Sequence, residues 1–61
     1  MSYLVGNFDE YMDVVLNGSV VESSDTMIEE KLITTLTYTH DSAIYVVNKL
    51  NDTVTFCIRM A

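Results

Sequence analysis

Between Phe8 and Leu16 the apolar residues Phe8, Tyr11, Met12, Val15 and Leu16 recur at i, i+3, i+4, i+7 and i+8. That is the stripe one face of an α-helix presents to a core, and it predicts a helix over 8–16. Asn7 suits its N-cap, and Glu10 completes an asparagine variant of the capping box. Asp9 and Glu10 complement the positive end of the helix dipole. The stretch "VVLNGSVV" (14–21) is ambiguous. Asn-Gly between apolar pairs signals a hairpin, and it is equally a helix stop with glycine in the left-handed conformation. A hairpin centred there would oppose Asp13 and Glu22, two like charges on one ladder. It would also leave the 8–16 periodicity unused. A helix stopped by Gly18 is the better reading.

Beyond Gly18, "SVVE" reads as a short strand or extended link. "SSDTMIEEKL" offers a second short helix, with Thr26 and Glu29 as a capping box. Ile28, Leu32 and Leu36 would then point inward, and Glu29 and Glu30 toward water. From Leu32 the period becomes two. Leu32, Thr34, Leu36 and Tyr38 alternate with Ile33, Thr35, Thr37 and Thr39, and "HDS" makes a turn. "AIYVVNK" reads as a second strand and "LNDT" as another turn. Val54, Phe56, Ile58 and Met60 form one face of a last strand. Ala43, Val46, Val47 and Leu50 also fit a helix face, but the stiff residues of "IYVV" favour a strand. The expected fold is α+β, with one or two short N-terminal helices packed on a three-stranded antiparallel β-meander. It forms a single domain over residues 1–61.

Size sharpens this picture. A chain of 61 residues buries only about 60% of its unfolded surface, so domains of this length often need a staple. Cys57 is the one cysteine, which excludes an internal disulfide, and the one histidine, His40, lies far from it in sequence. No metal site is expected. A homodimer is, formed by sheet-edge pairing or by burial of the apolar face of the last strand. There is no positively charged leader and no apolar run of ~18 residues. An unpaired cysteine fits a reducing compartment. The expectation is a complete cytoplasmic product with no membrane contact.

Charge carries the functional content. The formal net charge is −6, and residues 1–30 hold seven acids (Asp9, Glu10, Asp13, Glu22, Asp25, Glu29, Glu30) without a lysine or arginine. The other half sets Asp41 and Asp52 against Lys31, Lys49 and Arg59. Such asymmetry argues against direct contact with nucleic acid or an anionic membrane. It favours a larger protein with a basic surface as partner. Asp9, Glu10, Asp13, Glu29 and Glu30 are the expected partner-binding residues. The plainer alternative is a face kept charged for solubility.

Catalytic chemistry finds little support. Cys57 and His40 are the only nucleophile–base pair, and a packed thiol with a solvent-exposed imidazole is the simpler reading. Gly6 and Gly18 are the only glycines, so no glycine-rich phosphate loop exists. Neither enzyme nor cofactor is expected. The threonines at 34, 35, 37 and 39 read as a polar strand face. Tyr3, Tyr11, Tyr38 and Tyr45 serve equally well as core edge or as interface anchors. In composition alone the chain resembles small virus- or plasmid-encoded inhibitors and antitoxins, nucleic-acid mimics included. The expected function is to bind and neutralise a basic-surfaced protein. The alternative is a self-associating structural or regulatory subunit whose function lies in its homo-oligomer.

Overall fold

The computed structural model describes residues 2–60. Its elements are β1 (Tyr3–Leu4), α1 (Phe8–Asn17), β2 (Ser19–Ile28), β3 (Lys31–His40), β4 (Ala43–Leu50) and β5 (Thr53–Arg59). The strands form one antiparallel sheet in the order β1-β5-β4-β3-β2. The molecule is therefore mostly β, with one short helix on five strands. This corrects the expected three-stranded meander with one or two helices.

The missing strands have distinct causes. Where Thr26–Glu29 suggested a helix cap, the chain runs straight as β2, paired from Ser19 with Thr39 to Ile28 with Lys31. A helix there would have been far shorter than the length at which helices gain stability of their own. The strand instead finds every partner on β3. β1 is two residues long, too short for periodicity to detect, and pairs Tyr3 with Arg59 and Leu4 with Ile58. Residues 43–50 are a strand, which settles the ambiguity of "AIYVVNK".

All three hairpins close through two residues with positive φ. These are Glu29 (49°) and Glu30 (69°), Asp41 (49°) and Ser42 (64°), and Asn51 (48°) and Asp52 (69°). Two-residue loops of this kind match the right-handed twist of the flanking strands. None of the six is glycine. Asn51 reinforces its turn, accepting the Leu32 N–H on Oδ1 at 2.9 Å and donating its own N–H to Leu32 O at 2.9 Å.

The helix lies on one face of the sheet. Val14 is fully buried and clusters with Tyr38, Ala43, Tyr45, Val47 and Cys57, with Tyr11 and Val15 packed against them. Phe8 and Leu16 are each 71% exposed, so the inward stripe is rotated from the expected one and centres on Val14. The helix end is seated close against β3. A Cβ on Gly18 would stand 2.5 Å from Val14 O and 3.1 Å from Thr39 O. Gly18 has φ −78° and ψ 172°, so it is extended and not left-handed. Glycine is required there for space.

The opposite face of the sheet is uncovered. By register it carries Leu4, Ile44, Val46, Phe56 and Ile58. A bulge at Asn48/Lys49 pairs Val54 with Lys49 and Phe56 with Asn48. Val54 is thereby turned to the helix side, away from Phe56 and Ile58, which corrects the expected single apolar face of the last strand.

Candidate functional site

The acids begin at the helix start. Asn7 Oδ1 accepts the N–H of Asp9 at 2.8 Å and of Glu10 at 3.3 Å, the expected cap. Glu10 does not reach back to complete the box. Its Oε2 accepts the hydroxyls of Tyr3 at 2.7 Å and Tyr45 at 3.3 Å. Both tyrosines flank Arg59, whose guanidinium carbon lies 5.8 Å from the Tyr3 ring centre and 5.9 Å from that of Tyr45. Arg59 Nη1 also donates to Tyr3 Oη at 3.3 Å. Burial pushes the Tyr45 hydroxyl up from its ordinary pKa, and the Glu10 charge adds to this against the opposing pull of Arg59. Glu10 thus ties β1, α1, β4 and β5 together, and its charge has a local cation within the same cluster.

Asp13 is also engaged. Its Oδ2 lies 2.9 Å from His40 Nε2, while its Oδ1 accepts from Asn17 Nδ2 at 2.6 Å. A carboxylate only accepts, so His40 Nε2 carries the shared hydrogen. These bonds, His40 first and Asn17 second, hold the Asp13 carboxyl below its ordinary pKa. Asp41 Oδ2 is 3.4 Å from the same nitrogen. Among the described residues, Asp13, His40 and Asp41 could hold a metal ion, their donor atoms all within 4.8 Å of one another. The group works as a latch from the helix to the β3–β4 turn. His40 was expected in a turn and exposed to solvent. It stands at the end of β3 instead, with only 14% of its side chain exposed.

The remaining acids are displayed. Asp9, Glu22, Asp25, Glu29, Glu30 and Asp52 are exposed, and none has an ion-pair partner among the described residues. Glu22 and Asp25 lie along β2, the sheet edge, every residue of which is exposed. Glu29 and Glu30 form the tip of the β2–β3 hairpin, in a backbone conformation that glutamate disfavours. The expected binding residues therefore divide: Asp9 and the Glu29–Glu30 tip project freely, while Glu10 and Asp13 are bonded within the fold. Asp13 and Asn17 are four apart on α1, the spacing at which helix side chains bond, a signal that the expected helix over 8–16 left out. Nothing in the sequence brought His40 to them, or Tyr3 and Arg59 to Glu10.

Cys57 is buried, and burial together with the Glu10 charge pushes its thiol pKa up. It lines a shallow hollow of about 390 Å³ with Val5, Tyr11 and Val54. Among the described residues, no helix is long and apolar enough to cross a membrane. No family model, no curated protein and no solved structure matches the chain.

Proposed function

We propose that this is a cytoplasmic binding protein, not an enzyme, which inhibits or neutralises a larger protein by occupying its basic surface. One observation carries the reading: two adjacent glutamates hold the tip of the β2–β3 hairpin at positive φ. Asparagine and glycine suit those positions far better. Non-glycine residues held there cost on the order of 1–3 kcal/mol each, and such strain concentrates where a surface is used. A turn chosen for stability alone would carry other residues. Glu22 and Asp25 extend the negative surface from this tip along an edge strand without a lysine or arginine.

Charge of this kind acts first on association, because a negative surface steers a basic partner into encounter and the effect fades with salt. The buried, protonated thiol of Cys57 and the engaged imidazole of His40 fit a protein without a reactive centre. The test is to immobilise the protein, capture from cell extract at low salt, and measure the affinity of whatever salt releases. Replacing the tip by Glu29→Asn/Glu30→Gly should weaken that affinity while the fold gains stability. An affinity unchanged by the double substitution, or insensitive to salt, overturns the reading.

A further inference from the structure

We propose that the uncovered sheet face is the contact surface of a symmetric homodimer, in which two copies pack sheet on sheet. The face is apolar where it matters. Leu4, Ile44, Val46, Phe56, Ile58 and Met60 lie across β1, β5 and β4 and the residue beyond β5, and Leu4 is 69% exposed with nothing above it. Tyr45 and Val47 of β4, Cys57 of β5 and Tyr38 of the neighbouring β3 point the other way and are covered by the helix. One layer of the sheet is thus roofed and the other is not, although a sheet with an apolar face gains stability by packing that face on another layer.

Charge selects the occupant. The chain carries a net −6, so two copies repel unless they meet where acids are absent. On this face β1, β4 and β5 present no charged side chain, and the only charged residues are Glu22 and Lys31, out on β2 and β3. A basic protein, a nucleic acid or an anionic membrane finds nothing here to pair with. A second copy finds its own complement. Pairing through the β2 edge is the competing arrangement, and an antiparallel pair of β2 strands centred between Ser23 and Ser24 would set Glu22 of each copy against Asp25 of the other. Such like-charge pairs destabilise a ladder.

The one amide on the face, that of Asn48, is already engaged. Asn48 Nδ2 donates to Thr35 Oγ1 at 3.3 Å, and Thr55 Oγ1 donates to Asn48 Oδ1 at 2.7 Å. Covering these groups keeps the hydrogen bonds they already make, which lowers the desolvation cost of burying them. The area also suffices. Strands β2 to β5, seven to ten residues long and about 4.8 Å apart, present a face of roughly 19 by 27 Å. Two such faces bury on the order of 1,000 Å², where specific interfaces begin. Aligned packing of two sheets about 10 Å apart is the standard sandwich arrangement.

The experiment is sedimentation velocity from low to high micromolar concentration on wild type, Ile44→Lys/Phe56→Lys, and Phe8→Lys/Leu16→Lys. Both double variants add two positive charges to an acidic chain, so general repulsion falls equally in each. Wild type should be a dimer, the sheet variant should raise the dissociation constant at least about tenfold, and the helix variant should leave it unchanged. Should the lysine variant fail to fold, Ile44→Thr/Phe56→Thr keeps strand propensity and should still weaken the dimer with an unaltered far-UV spectrum. A monomeric wild type overturns the proposal, as does a dimer that neither sheet variant weakens. Strong protection of the outward amides of β2 from hydrogen exchange would instead assign the contact to the edge and overturn it too.

Discussion

Gly18 shows how one hydrogen in place of a methyl group positions an element. Because the missing Cβ would fall within contact distance of two backbone oxygens, Gly18→Ala must lift the helix end from β3. Overpacking of this kind costs about 1–3 kcal/mol. Thermal unfolding should show a fall of roughly 4–8 °C per kcal/mol for a domain this small. Gly6→Ala is the contrast, since a Cβ there meets nothing within 4 Å, and its melting temperature should scarcely move. Asp13 makes a prediction in pH. Its folded pKa lies below the ordinary 3.8 because of His40 and Asn17. Its stabilising contribution is therefore complete above that value and is lost as pH falls through the lower folded one. Asp13→Asn should unfold more easily than wild type near neutrality, and the two should converge in strong acid. A carboxyl titration followed by NMR should show Asp13 moving up in His40→Ala. An unmoved titration would mean that His40 does not hold it.

Among the elements, the hairpins carry the sharpest expectation. Glu29→Asn/Glu30→Gly places residues suited to positive φ at the β2–β3 turn and removes two neighbouring charges. It should stabilise the protein by at least about 1 kcal/mol, read as a raised denaturant midpoint with an unchanged slope. How much of the fold was legible follows from the same elements. α1, β3, β4 and β5 announced themselves because a cap, a 3.6-residue period or a two-residue period spans enough positions to be counted. Asn7 and Gly18 bounded the helix correctly, although the function of Gly18 is clearance and not left-handed geometry. β2 was hidden because Thr26 and Glu29 imitate a helix cap, and pairing with β3 overrides a local preference worth only tenths of a kcal/mol per residue. Of the candidate site, exposure of Asp9, Glu29 and Glu30 was legible from charge alone. The engagement of Glu10 and Asp13 was not, since Tyr45 and His40 reach them only through sheet order.

At the scale of the whole molecule, the core is small. Among the described residues six side chains are buried, and only Val14 of these comes from the helix. A domain of this size holds together by roughly 3–9 kcal/mol. Val14→Ala, which removes two buried methylene equivalents at about 0.8 kcal/mol each with a cavity left behind, should take a large share of that. Denaturant unfolding should show a loss of about 2 kcal/mol, and circular dichroism should show the helix signal fading with the rest in one transition. The three two-residue turns bear on how the molecule comes into being. Each lets neighbouring strands meet after closing almost no loop, so most pairings join residues close in sequence, and topology of that kind folds quickly. Only the closure of β1 on β5 must wait for the whole chain. The chain has no proline, which removes the isomerisation that delays many refolding reactions by tens of seconds. Refolding by stopped flow should therefore finish within a second in one exponential at concentrations too low for pairing, with α1 docking as the sheet zips outward from its turns.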